Sequence, residues 1–155
     1  LELRRQVDQA LKRTRELCGR LRPPILDDLG LVETCRWYLR DWSRQTGLRV
    51  CGRFDKTLAD PDDRLRTDLF RILQELLTNV ARHAEARRVD VSLKVSGKRL
   101  RLRVRDNGRG FAAGKPPGIG LTGIRERLRR YGGRMSIDSG EQGSVVSIDV
   151  PNEAA

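Results

Sequence analysis

The sequence lacks the features that mark disulfide-stabilised, secreted or membrane-spanning proteins. Its three cysteines, Cys18, Cys35 and Cys51, are odd in number and have no metal-ligand spacing, so we expect reduced cytosolic thiols in core or seam positions. No apolar run reaches the roughly 18 residues of a membrane-spanning helix, and no signal-peptide pattern is present. Because the first residue is Leu1 rather than methionine, we expect a piece of a longer protein.

Aromatic residues and acids are also scarce. Aromatics make up 5% of the chain, and 21 acidic residues face 32 basic ones, for a net charge of +11. Such a charge raises the hypothesis of nucleic-acid binding. However, basic and acidic residues are intermixed, and no nucleic-acid motif is present. We interpret the charge as a solvated arginine-rich surface that also suits a polyphosphate ligand or an acidic protein partner. A basic nucleic-acid-binding module remains the alternative.

The first part of the chain has a short heptad pattern. Its residues recur in steps of four and three, at Leu3, Val7, Ala10, Thr14, Leu17 and Leu21. This period favours a helix that pairs with another chain, and a helix lying on its own domain is the alternative. Arg22-Pro23-Pro24 ends the pattern, since proline cannot continue a helix.

The remaining sequence predicts alternating helices and strands. The predicted helices are 29–46, 60–63 to about 84, and 119–131; the predicted strands are 48–54, 88–95, 99–105, 135–138 and 144–150. Consecutive hairpins exclude a purely parallel doubly wound sheet. The predicted fold class is therefore α/β (α+β), a two-layer sandwich with helices on one face of a mixed sheet and an N-terminal helix before it.

A polar stripe interrupts the apolar pattern of the second of these helices. Glu75, Asn79 and His83 lie at i, i+4 and i+8 and therefore share one helix face. The Asn79 amide offers the hard oxygen that Mg²⁺ prefers, and Glu75 can orient or accept a proton. Arg82 and His83 can meet phosphate charge. A solvated arginine and a satisfied helix-end histidine are the plainer alternatives for the last two.

A second motif follows a predicted strand. Asp106 ends the strand and precedes Gly108 and Gly110. A carboxylate there can accept a hydrogen bond from the exocyclic amine of adenine, and the glycines leave room for a flat ring. An ordinary Asp-Asn-Gly turn is the alternative.

A third motif, residues 118–123, matches the dinucleotide fingerprint G-x-G-x-x-G. The required strand does not precede it, because the segment before it reads Gly-Lys-Pro-Pro, so we reject a dinucleotide site. The glycines Gly118, Gly120 and Gly123 instead let phosphate oxygens approach the free N–H groups at the start of a helix. An ordinary loop capping that helix is the alternative.

Together and in this order, the motifs resemble the GHKL superfamily of ATP-binding domains and, within it, sensor histidine kinases of the NarL-type subgroup. Residues 74–79 with 83–84 resemble the N box, 106–111 the G1 box and 118–127 the G2 box. The pair 143–144 resembles the Gly-Thr that backs the adenine-reading aspartate. Residues 21–31 resemble the linker of the subgroup.

The resemblance implies a Bergerat fold that binds ATP with Mg²⁺. It implies that Asn79 ligates the metal, that Asp106 reads adenine and that Glu75 activates the acceptor histidine. The implied nucleotide-binding residues are Asn79, Arg82, His83, Asp106, Gly108, Gly110, Gly118, Gly120, Leu121, Thr122, Gly123 and Ser144.

The resemblance also implies a domain order: residues 1–22 as a remnant of the second helix of the dimerisation domain, 23–30 as a linker and 31–155 as the ATP-binding domain. The γ-phosphate would pass to a histidine of the dimerisation domain and then to a NarL-type response regulator. A cytoplasmic homodimer is implied, in which this chain contacts neither nucleic acid nor membrane.

The sequence departs from the family pattern in one respect. Its single histidine, His83, lies inside the N-box motif, so we predict that this chain binds ATP but does not phosphorylate itself on histidine. Two further alternatives stay open: an anti-sigma-factor-type serine kinase of the same superfamily, and an interaction domain that kept the fold without binding ATP.

Overall fold

The computed structural model describes residues 25–56, 58–111 and 119–152. The predicted heptad helix and Gly118 lie outside these residues. The elements are α1 (Ile25–Thr46), β1 (Arg49–Phe54), α2 (Asp63–Asn79) with a π-helical turn (Val80–Ala84), β2 (Arg88–Ser96), β3 (Arg99–Asp106), α3 (Ile119–Arg129), β4 (Arg134–Gly140) and β5 (Gly143–Pro151). No helix within the described ranges is long and apolar enough to cross a membrane.

The five strands form one mixed sheet in the order β1-β2-β3-β5-β4. The β1–β2 pair is parallel, and the other three pairs are antiparallel. Along β3, Leu100, Leu102 and Val104 are buried, whereas the residues between them are exposed or only half-buried. One face of the sheet therefore packs on the helices and the other faces solvent. The predicted two-layer fold is confirmed.

The structure corrects the predicted start of the first helix. Helical residues begin at Ile25 rather than Leu29, and Gly30 interrupts the helix with φ 73° and ψ −179°. The helix resumes at Leu31, whose N–H donates to Asp60 Oδ1 at 2.9 Å. This carboxylate therefore caps a helix that lies far from it in sequence. The predicted boundary between linker and domain at residues 30 and 31 stays a prediction.

Side-chain hydrogen bonds fix α2, the helix that carries the polar stripe. At its start, Asp62 accepts from the N–H groups of Arg64 (2.8 Å) and Leu65 (3.0 Å), which confirms the predicted N-terminus. On its buried side, Asp68 accepts from the Tyr131 hydroxyl at 2.7 Å. Burial and, second, this hydrogen bond raise the pKa of Tyr131 to about 12. Since Tyr131 lies two residues after the end of α3, the bond ties α3 to α2.

Glycines end two helices, as predicted. Gly47 (φ 74°) closes α1, and its N–H donates to Ser43 O at 2.9 Å. Gly132 (φ 61°) follows α3, whose helical residues stop at Arg129, two residues before the predicted end. The strands β4 and β5 are longer at both ends than the sequence pattern indicates.

The two described cysteines differ in environment. Cys35 is 2% exposed and belongs to the core, as expected, whereas Cys51 is half-buried on the solvent side of β1. Burial and, second, the negative charge of Asp60 raise the pKa of Cys35 to about 12.

We expect Cys35 to resist alkylation in the folded protein. The thiolate is the reactive form, and the shift in pKa from 9.0 to about 12 lowers the thiolate fraction by about a thousandfold, before steric protection is counted. Iodoacetamide labelling at pH 8, followed by peptide mass spectrometry with and without urea, measures this protection. Equal labelling of Cys35 in both samples would contradict the buried position.

Candidate functional site

Asp106 is a buried carboxylate fixed from two sides. It is the last residue of β3 and is 3% exposed. Its Oδ1 accepts from Gly108 N–H at 2.8 Å, and its Oδ2 accepts from the hydroxyl of Ser144 on β5. Each carboxylate oxygen has a further lone pair, so the group remains able to accept another hydrogen bond. The structure thus holds a rigid acceptor at the end of the central strand.

A close backbone contact between β5 and the end of β3 places Ser144 beside this carboxylate. Gly143 has φ 110°, and a Cβ placed on it would lie 2.1 Å from the carbonyl oxygen of Asp106. A side chain at this position would push β5 away from β3. The glycine therefore permits the approach that brings the Ser144 hydroxyl to Asp106.

The glycines of the second motif also have a packing role. A Cβ at Gly108 would lie 1.9 Å from Ala84 O, and one at Gly110 would lie 2.4 Å from Gly140 O. Both positions face protein backbone, so packing alone requires glycine there, and room for a flat ring beside these glycines stays a prediction. They let the loop pack between the end of the π-helical turn and the β4–β5 hairpin.

Asn107 and Arg109 attach the same loop to the end of the π-helical turn. Asn107 Oδ1 accepts from the backbone N–H groups of Arg87 (2.9 Å) and Arg88 (2.8 Å). Arg109 N–H donates to Ala84 O at 2.8 Å, and its guanidinium lies 2.9 Å from the carboxylate of Glu85. Sequence reasoning did not assign a role to Asn107. Its place between Asp106 and a glycine, typical of side chains that bond to nearby backbone, was the available signal.

The predicted polar stripe follows α2 into the π-helical turn. Glu75 and Asn79 are half-buried on α2, and Arg82 and His83 are exposed in the turn. Single π-helical turns inside α-helices are frequent at functional sites. The stripe therefore runs from the packed part of the helix to solvent.

The first turn of α3 lies against Glu75. A Cβ at Gly120 would be 2.0 Å from Glu75 Oε1, so the glycine leaves room for the carboxylate. Gly123 faces open space, and Thr122 is exposed. The side chain of Leu121 is 4% exposed and belongs to the core, so this residue can offer a ligand only its main chain.

The three motifs meet along one helix. The first turn of α3 contacts Glu75, and the loop after Asp106 contacts Ala84 nine residues later, about 13 Å along the axis. Asn79 lies between these two contacts. The structure thus attaches the start of α3 and the loop after Asp106 to the helix that carries Asn79, and a shared nucleotide site for these residues stays a prediction.

Two of the clefts in the described part of the structure differ in their relation to the predicted site residues. The smaller, of about 270 Å³, lies beside Asp106, Gly143 and Ser144. The larger, of about 570 Å³, lies between α1 and β1 and contains none of the predicted site residues. Ser139, which lines the smaller cleft, accepts from Phe111 N–H at 2.6 Å and holds the residue before segment 112–118. Sequence reasoning did not identify Ser139.

The donor set suits a metal that arrives with a ligand. The described residues contain no group of three or more His, Cys, Asp or Glu side chains able to hold an ion by themselves. Asn79 offers one amide oxygen. Mg²⁺ typically takes one or two protein ligands and completes its shell with waters and substrate phosphates, so these residues fit such an ion.

Comparison with known proteins identifies the family. Residues 65–154 match the family described as histidine kinase-, DNA gyrase B-, and HSP90-like ATPase. The chain is 34% identical over 141 residues to the oxygen sensor histidine kinase NreB of Staphylococcus carnosus, covering 88% of this chain and 41% of that protein. It is 39% identical over 141 residues to the histidine-protein kinase/phosphatase UhpB of Salmonella typhimurium, covering 88% of this chain and 28% of UhpB.

Solved structures agree with the fold. The histidine kinase domain of the blue-light activated kinase EL346 of Erythrobacter litoralis superposes with a TM-score of 0.71 at 22% identity, covering 79% of this chain and 61% of that one. The chain spans less than half the length of the two curated relatives. The chain belongs to the histidine kinase-, DNA gyrase B- and HSP90-like ATPase family and corresponds to the ATP-binding catalytic domain of a sensor histidine kinase.

Proposed function

We propose that this chain binds the ATP whose γ-phosphate enters a two-component phosphorelay. In the whole protein, the γ-phosphate passes to a histidine on a dimerisation domain and then to an aspartate of a NarL-type response regulator. The observation that carries the proposal is the buried Asp106 carboxylate, held by Gly108 and Ser144 and attached through its loop to the helix of Asn79. The acceptor histidine belongs to another domain, since His83 lies in the π-helical turn.

Asp106 selects the base. Its fixed carboxylate accepts a hydrogen bond from the exocyclic amine of adenine, whereas guanine presents a carbonyl oxygen at the corresponding position. The carboxylate and the guanine carbonyl oxygen are both acceptors, so they repel each other and neither gains a hydrogen bond. The site therefore prefers ATP to GTP.

Asn79 and Glu75 serve the phosphate end. The Asn79 amide oxygen holds Mg²⁺, which neutralises phosphate charge when bound. Glu75 orients the incoming histidine or accepts its proton. Arg82, His83 and the main chain at Gly118, Gly120, Leu121, Thr122 and Gly123 contact the phosphates. These groups act mainly by positioning the reactants.

The proposal extends to the architecture of the whole protein. Residues 1–22 are the remnant of a dimerisation helix, 23–30 a linker and 31–155 the ATP-binding domain. The protein acts as a homodimer in the cytoplasm or as the cytoplasmic part of a membrane-bound sensor.

Calorimetry with a non-hydrolysable ATP analogue tests the assignment of Asn79. We expect Asn79→Ala to weaken binding in Mg²⁺ by about tenfold, because one metal ligand is lost, and to have little effect in EDTA. Thr67→Ala, at the far end of the same helix, is the matched control. Absence of binding by the unmodified chain would refute the proposed function, and an unchanged Mg²⁺ dependence in Asn79→Ala would refute the metal assignment.

A further inference from the structure

The solvent face of the sheet is strongly basic. We name this the outer face: the strand residues that alternate with the buried ones. The strand β3 contributes Arg99, Arg101, Arg103 and Arg105, and its neighbours add Arg53 and Lys94. Successive outward residues on a strand are about 6.7 Å apart. Four arginines thus form one row along the central strand.

This arrangement is unfavourable for the isolated domain. Arg101 lies directly opposite Lys94 on β2, and like charges facing each other across strands destabilise a sheet. The row also repels itself along β3. Solubility alone requires only mixed charges, so a row of one sign indicates a use for it.

Among the described residues, only part of the arginine row on β3 is paired with an acid. Asp149 binds both Arg99 and Arg101, the latter at 3.0 Å. Partial burial alone raises the pKa of Asp149, but the hydrogen bonds from the two arginines lower it overall. In the part of the chain that the structure describes, neither Arg103 nor Arg105 forms an ion pair, and both line the cleft of about 270 Å³.

The chemistry of the face favours a protein over a nucleic acid or a membrane. Arginine dominates, and its fork binds carboxylates through two parallel hydrogen bonds. Arginine is enriched and lysine depleted in protein interfaces. None of the outward residues on the five described strands is aromatic, so bases have nothing to stack on and a bilayer has no aromatic anchor. Asp90, Asp138 and Asp149 also lie on this face and would repel a uniform layer of phosphates, whereas a protein surface can place its carboxylates opposite the arginines and other residues opposite these aspartates.

We propose that the outer face, centred on Arg103 and Arg105, binds an acidic protein surface rich in aspartate and glutamate. The side chains of Val104 and Asp106 on the same strand point to the helix layer. The side chain proposed to read the base therefore points away from the outer face, although the cleft beside Arg103 and Arg105 reaches Asp106 at the end of the strand.

Fluorescence anisotropy with a labelled oligoglutamate peptide tests this surface at low ionic strength. We expect Arg103→Glu/Arg105→Glu to weaken binding by about tenfold or more, since close carboxylates replace the guanidinium groups. The control Arg129→Glu/Arg130→Glu makes the same change in net charge at two exposed positions, the last residue of α3 and the one after it. This control should weaken binding by about twofold or less. Equal losses in both variants would mean that only net charge matters and would overturn the proposal.

Two further probes separate the alternatives. A labelled DNA duplex and phosphatidylserine vesicles are titrated against the same variants. Tighter binding of either one than of oligoglutamate, lost only in Arg103→Glu/Arg105→Glu, would assign the face to phosphate groups and refute a protein partner. If the duplex and the vesicles bind more weakly than oligoglutamate, and both charge-reversal variants reduce that binding equally, the result supports the proposal. If the Glu variant does not fold, Arg103→Gln/Arg105→Gln against Arg129→Gln/Arg130→Gln gives the same comparison, with an expected loss of about fivefold.

Discussion

Asp106→Asn will lower the affinity for ATP by about a hundredfold while the domain stays folded. The substitution keeps the shape of the side chain, and its amide oxygen can still accept from Gly108 N–H. The charged acceptor for the adenine amine is lost, however, and a hydrogen bond to a charged group contributes roughly 1.5–3 kcal/mol. Calorimetry with the ATP analogue measures the affinity, and circular dichroism confirms the fold.

A matched variant separates the effect of the Asp106 charge from the effect of the hydroxyl that holds it. Ser144→Ala removes the hydroxyl that donates to Asp106 but leaves the carboxylate in place, so we expect a loss of about tenfold or less. Both variants should also discriminate less between ATP and GTP, and Asp106→Asn should lose more of this discrimination than Ser144→Ala. If Asp106→Asn bound ATP within about threefold of the unmodified chain, the carboxylate would not read the base.

Gly143→Ala will destabilise the domain by about 3 kcal/mol. The backbone there has φ 110°, which a side chain rarely adopts, and the new Cβ would lie 2.1 Å from the carbonyl oxygen of Asp106. The three nearest atoms that the Cβ would meet all belong to the main chain of Asp106 and Asn107, so relief requires movement of β5 away from β3. Urea unfolding followed by circular dichroism measures the free energy of unfolding.

Gly140 offers a control in the same hairpin. A Cβ at Gly140 meets nothing within 4 Å, and its φ is not positive, so Gly140→Ala should change the free energy of unfolding by about 0.5 kcal/mol or less. Equal effects of the two substitutions would mean that the hairpin tolerates a side chain at either position. The approach of β5 to Asp106 would then not depend on glycine.

The sequence predicts most of the fold because local patterns control it. The alternation along β2 and β3 and the start of α2 at Asp62 are visible in short segments, and the structure confirms them. The break in α1 at Gly30 was not predictable, since the carboxylate that caps the resumed helix belongs to Asp60, 29 residues after Leu31. No local pattern in the sequence indicates the π-helical turn.

The same distinction applies to the candidate site. The residue types and spacing of Glu75, Asn79 and Asp106 predict it, because each side chain carries its own chemistry. The packing role of Gly108 was not predictable, because it depends on Ala84, a contact that only the folded chain creates. Ser139 was missed for the same reason, since its acceptor role depends on Phe111, 28 residues earlier.

Two hydrogen bonds from within the domain, from Gly108 and Ser144, fix the position of the Asp106 carboxylate. A receptor group that is ordered in advance loses little rotational freedom when its ligand arrives. For the proposed nucleotide, the adenine amine would therefore meet an acceptor whose position is set before binding.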